Sequence, residues 1–384
     1  MLERVDAHDG DVGKVTSADY RRVVDLCWQC KLCFNHCPYT PPHRFDIDFP
    51  RLMLRAKAAR ARAEGVSRPD AWLGNVDAVG SLGAAMAPLS NWANGFGPHR
   101  ALMERVVGID RTRNLPRFHH KTFARWFRER EKQKQKATGS AERRRVAFFH
   151  TCVVNYNEPQ IGRDAVAVME RNGCAVSSPE QACCGMPYLD GGDIDGAVRN
   201  ARRNLDAFLP LVEQGADVVV PQPTCSYVLK KEYPVLVPGP AAEKVAARTR
   251  DLFEYLAGRQ REGSLATDFP GRRPGKVAYQ MPCHLRAQNM GYKTRDVLQL
   301  IPGTKVTVVE RCTAMDGTWA MKKEFYPISL EFARKAVGEM DAAQPDTYAT
   351  DCSMAALQLE QVRGVKPAHP VSLLREAYGL PEEH

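Results

Sequence analysis

The chain has 384 residues, 44% apolar and 26% charged, with a formal net charge of +9. That length exceeds what one core usually fills, so two or three domains are expected, and the composition is that of an ordinary soluble globular protein. Twelve cysteines are too dilute for a small disulfide scaffold, and their clustering reads as metal ligation.

Met1 to Lys14 is acidic and polar and lacks the apolar core of a signal peptide, so a cytoplasmic protein with reduced thiols is expected. Ser17 to Leu26 predicts a helix with Ser17 as its N-cap. A cysteine run follows, and Pro41, Pro42 and Pro50 then read as breaks. Leu52 to Glu64 is rich in alanine and arginine and predicts a second helix. The uncharged stretch Ala78 to Pro98 is long enough to span a bilayer, but its glycines, asparagines and prolines argue against that. His119 to Lys136 predicts a polar helix with Phe123, Trp126 and Phe127 on one side.

The positive charge is local. Arg111 to Arg145 holds 13 Lys/Arg against 3 Asp/Glu, while the rest of the chain has 41 against 42. Two readings stand: a solvated linker helix, or docking to an acidic partner or an anionic membrane surface. No nucleic-acid module accompanies the run, so nucleic acid is not an expected partner.

Beyond Ser140 short apolar strands (Val146–Phe149, Ala175–Ser177, Asp217–Val220) alternate with helices (Gly162–Asn172, Asp195–Gln214), which predicts an α/β layer with parallel strands. The pattern then repeats. Val146-Ala147-Phe148 with Cys152 matches Val277-Ala278-Tyr279 with Cys283; Cys183 matches Cys312, and Cys225-Ser226 matches Cys352-Ser353. Three landmarks in the same order indicate a duplication.

Cys27, Cys30, Cys33 and Cys37, followed by Pro38, have the spacing of a ferredoxin ligand run, which points to a [4Fe–4S] cluster. Zinc is the rival metal, but its sites come more often as two separated cysteine pairs. In two-cluster ferredoxins the fourth cysteine of each run serves the other cluster. With one run here, either Cys37 folds back onto its own cluster, the reading favoured, or a more distant cysteine closes it. Cys152, the adjacent Cys183 and Cys184, and Cys225 each follow a predicted strand end, the edge where open α/β sheets gather ligands. Adjacent side chains diverge, so they suit a polynuclear centre better than one metal atom; the alternative is buried structural thiols. Cys174 stands outside the pattern, on an expected helix–strand connection, and reads as a core thiol. His284 beside Cys283, and His36 beside Cys37, read as hydrogen-bonded or surface histidines rather than ligands. No phosphate loop or dinucleotide fingerprint is found near the strands.

Cys183-Cys184-Gly185, Pro223-Thr224-Cys225 with Leu229 to Tyr233, Pro282-Cys283-His284 with Gly291, and Asp316 to Trp319 with Lys322-Lys323-Glu324 resemble the cysteine-rich CCG domain family of iron–sulfur proteins. The resemblance implies a ferredoxin-type domain (1–64), a helical linker with the basic patch (65–140), a first CCG domain (141–270) and a second, degenerate one (271–384). Val228, Thr313, Ala314 and Ala355 stand where the family pattern has cysteine or glycine. It further implies an electron-transfer subunit between a flavoprotein dehydrogenase and a quinone, disulfide or other acceptor. A [4Fe–4S] cluster would lie at Cys27, Cys30, Cys33 and Cys37, and a second iron–sulfur centre at Cys152, Cys183, Cys184 and Cys225. Zinc or no metal is expected at Cys283, Cys312 and Cys352. The protein is expected in the cytoplasm, with peripheral contact at the inner face of the membrane. The rival functions are a stand-alone reductase acting at the CCG metal centre and a metal-sensing or scaffold protein.

Overall fold

A computed structural model describes residues 2–134 and 144–383. Thr16 and Asp19 start the first long helix by mutual capping. The Asp19 backbone N–H donates to Thr16 Oγ1 at 3.3 Å and the Thr16 N–H to the Asp19 carboxylate at 3.2 Å. The helix is Ser17–Asp25, so Thr16 is its N-cap and Ser17 its first helical residue. Threonine followed three residues on by an acid satisfies both free donors, which serine at 17 would not do here. The next long helix, Phe49–Glu64, starts three residues earlier than expected. Asp48 accepts the Arg51 N–H at 2.8 Å, and Pro50 sits in the first turn, where a missing N–H costs nothing. Pro50 therefore opens this helix instead of breaking the chain.

The uncharged stretch folds as short helices, Val76–Ala85, Ala87–Gly95 and Gly97–Val107, with Pro88 and Pro98 in the first turns of the last two. No helix among the described residues is long and apolar enough to cross a membrane. Phe123–Lys134 is helical and buries Phe123, Trp126 and Phe127 together. Much of the basic run is engaged internally. Arg113 is buried and donates to the Ala320 carbonyl at 2.7 Å and the Ser329 hydroxyl at 2.6 Å. Arg130 holds Glu170, and Arg144 pairs with Asp217 and Glu262. Residues 135–143, with the rest of that charge, lie outside the described residues.

Two parallel sheets follow. The first has strand order β2-β1-β3-β4, from Arg144–Phe148 (β1), Cys174–Ser177 (β2), Asp217–Val220 (β3) and Thr249–Asp251 (β4). The second has order β6-β5-β7, from Lys276–Gln280 (β5), Lys305–Val309 (β6) and Thr347–Ala349 (β7). β1, β2 and β3 thus correspond in order and direction to β5, β6 and β7, as a duplication requires. The strands are apolar because helices such as Pro159–Arg171 and Ile194–Glu213 pack the first sheet. The repeats share one core: Val146 and Phe148 pack in the same cluster as Val277, Tyr279, Leu298 and Tyr378, with the three aromatics of Phe123–Lys134. Cys174 is the first residue of β2, not part of a connection, and is fully buried with its sulfur 3.3 Å from the Tyr255 hydroxyl.

The C-terminal edges of the two sheets meet. Gln222, after β3, donates from Nε2 to Ser353 Oγ at 2.9 Å and accepts the Ser353 N–H at 3.1 Å. Thr224 Oγ1 lies 2.9 Å from His284 Nδ1. All seven cysteines of the two repeats' common pattern lie in loops or helix starts beyond these strand ends.

Candidate metal centres

In the first repeat the thiols are close neighbours. Cys152 is in hydrogen-bonding contact with Cys183, Cys183 with Cys184, and Cys184 with Cys225. Cys183, Cys184 and Cys225 are buried. The Cys152 thiol is pushed well above its usual range by the Cys183 hydrogen bond, then by burial. The loop is held from several sides. Asp77, from helix Val76–Ala85, accepts the Cys183 N–H at 2.8 Å. Buried Asn204 accepts the Ala182 N–H at 2.8 Å and donates to the Tyr233 hydroxyl at 2.8 Å. Gly185 takes φ +96°, and a Cβ there would stand 3.3 Å from the Ala197 Cα, so the pair is followed by a backbone shape that suits glycine.

The second repeat keeps that backbone with fewer thiols. Ala314 stands in the place of Gly185 and still takes a left-handed φ of +49°. Cys312 is in hydrogen-bonding contact with Cys283, and Cys352 senses Cys312 electrostatically. Cys283, Cys312 and Cys352 line one small cavity of about 20 Å³ with Trp28, Thr313 and Ala355. The Cys312 thiol is pushed up to about 12, chiefly by its hydrogen bond with Cys283 and by burial, against a lowering bond with Cys30. The Ala314 N–H donates to the Cys312 sulfur at 3.3 Å and the Ala355 N–H to the Cys352 sulfur at 3.5 Å; such bonds tune sulfur-ligated metals. His284 is buried and engaged at both ring nitrogens, Nδ1 to Thr224 and Nε2 to the Gln29 carbonyl at 2.9 Å. Burial lowers its pKa to about 4.

Cys27, Cys30 and Cys33 line a second cavity, of about 240 Å³, with Val23, Leu26, Phe49 and Pro50. Cys37 ends the short helix Leu32–His36 and is not among that cavity's lining residues. The run is fastened to both repeats. Buried Lys31 lies 3.3 Å from buried Glu232, which also takes Arg51 at 3.1 Å. Trp28 packs on Trp319 with ring centroids 4.9 Å apart, and Trp319 Nε1 donates to the Asp25 carbonyl at 2.7 Å. Lys57 Nζ donates to the Cys27 carbonyl at 2.9 Å. Through this docking Cys30 reaches Cys312, which with burial raises its thiol pKa strongly.

Among the described residues, no group of three or more His, Cys, Asp or Glu side chains gathers tightly enough around one point to hold a single metal ion. The four first-repeat thiols all influence one another, which fits a larger inorganic core shared among them. Buried sulfur donors, soft and anionic once deprotonated, fit iron. Sequence reasoning missed Asp77, Asn204, Lys31 and Asp190. Asp190 is buried near Asp316, and burial raises its pKa to about 7. Asp77 and Asn204 lie far in sequence from the cysteine loop they hold, and Lys31 lies far from its partner Glu232. Glu232 and Trp319 were visible only as parts of the family motifs.

Residues 146–230 and 277–360 match the cysteine-rich CCG domain, and residues 6–64 match the Fer4-like domain of citrate utilization protein B. The chain is therefore an iron–sulfur protein of the electron-transfer class, with a helical Fer4-like domain before two CCG repeats. It is 30% identical over 397 aligned positions to the C subunit of anaerobic glycerol-3-phosphate dehydrogenase from Escherichia coli K12, covering 91% of this chain and 98% of that one, and it belongs to that family. Lactate utilization protein A of Geobacillus kaustophilus is 28% identical over 221 positions, covering 54% of this chain and 87% of that one.

Proposed function

We propose that the chain carries electrons from a flavoprotein dehydrogenase partner to a membrane quinone. Cys27, Cys30, Cys33 and Cys37 would hold a [4Fe–4S] cluster, and Cys152, Cys183, Cys184 and Cys225 a second iron–sulfur centre. Each centre would supply reversible one-electron chemistry. The observation that carries the reading is the succession of sulfurs. Cys27 and Cys33 neighbour Cys30, Cys30 touches Cys312, Cys352 senses Cys312, and Cys225 senses Cys352 before its neighbours Cys184, Cys183 and Cys152. This supports an electron path that runs from the N-terminal run past the second repeat's thiols towards Cys152.

The output end suits an apolar acceptor. Cys152 borders a cavity of about 180 Å³ walled by Trp72, Leu73, Val76, Val79, Phe118 and Tyr156. The segment 76–107 exposes Leu82, Met86, Leu89, Trp92 and Leu102, apolar side chains suited to the membrane interface. This supports peripheral attachment to a membrane surface. A dehydrogenase partner is supported by the relative that is itself a dehydrogenase subunit. We place the domains at 1–64, 65–140, 141–270 and 271–384, although the last three contribute to one core.

The test is anaerobic reduction of the reconstituted full-length chain, followed by reoxidation with a water-soluble quinone. Cys184→Ser should abolish reoxidation and one paramagnetic species while the N-terminal cluster remains reducible. Unchanged reoxidation by Cys184→Ser would refute the output assignment.

A further inference from the structure

Gln29 stands between Cys27 and Cys30 in the chain and is almost wholly buried, with 1% of its surface exposed. It lines the same cavity as Cys27, Cys30 and Cys33. Its side-chain Nε2 lies 3.2 Å from Cys27 Sγ and 3.1 Å from the Pro50 carbonyl oxygen, while its Oε1 accepts from Lys31 Nζ at 2.9 Å. The amide fits only this way round. A carbonyl oxygen needs a donor and an ammonium needs an acceptor, so Pro50 claims the NH2 group and Lys31 the oxygen. The two amide protons then serve Pro50 and the Cys27 sulfur. The backbone is held as firmly. Gln29 and Lys31 take φ +53° and +62°, the left-handed region that a residue other than glycine keeps where its surroundings impose it. Here the Gln29 carbonyl accepts from His284 Nε2 at 2.9 Å, and Lys31 is tied to Glu232 at 3.3 Å. His284 belongs to the second repeat and Glu232 to the first.

We propose that Gln29 sets the reduction potential of the N-terminal cluster, as a positioning residue whose amide N–H, clamped by Lys31, Pro50 and His284, bonds to the Cys27 sulfur and favours the reduced state. This rests on the reading of Cys27 to Cys37 as a cluster site and deepens it. Reduction adds one electron, supplied by the dehydrogenase partner; no bond to Gln29 forms or breaks and no proton moves. The added negative charge is spread over the ligand sulfurs, and a donor aimed at one of them stabilises it. Lys31 strengthens the effect, because a cation on Oε1 polarises the amide and makes its N–H a better donor. His284 acts through the backbone alone, by holding the turn that aims the amide. The second repeat thereby gains a part in electron transfer that needs no metal of its own: it supplies the imidazole that fixes Gln29.

Anaerobic redox titration of the reconstituted full-length chain, read by low-temperature EPR, tests this. Gln29→Met keeps the bulk and removes the donor. It should lower the potential of the Cys33-dependent species, cutting its reduction equilibrium about tenfold, which is about 59 mV for one electron, with the Cys184-dependent species unmoved. His284→Phe should shift the same species in the same direction by less. Wild-type protein isotopically labelled in the side-chain nitrogen of glutamine should show a coupled nitrogen in the reduced N-terminal signal, a readout that stands even where Gln29→Met fails to take up iron. A potential unchanged by Gln29→Met would overturn the inference, as would a wild-type signal without glutamine nitrogen coupling. A potential unmoved by His284→Phe would overturn the part given to the second repeat. An N-terminal signal that survives Cys33→Ser would instead refute the underlying ligand run, so the two failures are distinguishable.

Discussion

The first and second repeats share strand order, direction and loop positions, yet they solve the same problem differently. The first carries its four thiols in its own sequence and braces them from outside, with Asp77 on the Cys183 N–H. The second has lost the adjacent cysteine and the following glycine, keeps the left-handed backbone at Ala314, and meets a thiol brought in by the N-terminal run. The difference teaches that a repeat can lose motif residues and keep the backbone turn of its cysteine loop.

The comparison breaks most sharply at the anchor that holds the N-terminal run. Lys31→Met removes the buried cation beside Glu232, almost wholly buried, and leaves it Arg51 and the Tyr227 hydroxyl. Removing one member of a buried pair costs about 3 kcal/mol or more. Denaturant unfolding should report that loss. EPR should lose the N-terminal species while the first repeat's signal persists; an unaltered spectrum and midpoint would mean that the pair does not hold the run.

A smaller effect is expected inside the first repeat alone. Asp77→Ala strands the Cys183 N–H, and an unsatisfied buried donor costs about 1–3 kcal/mol. Thermal unfolding should shift accordingly, and the reduction potential of the first-repeat centre should move while the N-terminal one stays. Equal movement of both potentials would contradict a local brace.

The smallest effects separate the two turns. Gly185→Ala places a side chain at φ +96° against Ala197, at a cost of about 1–2 kcal/mol. Ala314→Gly relieves a similar strain at φ +49° but gives up a buried methyl of about 0.8 kcal/mol and adds chain entropy of about 0.5–1 kcal/mol. It should therefore be close to neutral. A large loss on Ala314→Gly would mean that the alanine is required at that turn.

Local pattern carried much of this protein. The ligand spacing of Cys27 to Cys37 and the alternation of short apolar strands with helices are short-range features that fix local geometry, and the recurrence of the Cys152 pattern at Cys283 fixes the repeat order. The stretch Ala78 to Pro98 was also legible, because its prolines and glycines forbid one long helix. Boundaries were less so. The pattern puts the cap at Ser17, but Thr16 is the cap, paired with Asp19, and Pro50 lies in the first turn of a helix that Asp48 caps. Such choices depend on which side chain reaches a free N–H first.

What the sequence by itself determined is the chemistry available: thiols in the spacing of iron–sulfur proteins, two repeats to carry them, and the family to which the chain belongs. Only the tertiary structure decided which thiols meet. Cys30 and Cys312 lie far apart in the chain and are joined because Lys31 finds Glu232 and Trp28 finds Trp319. Asp77 braces Cys183 because helix Val76–Ala85 packs beside it. Contacts of this kind leave no periodic trace in sequence, since burial and charge pairing between distant segments are settled only when the whole core closes.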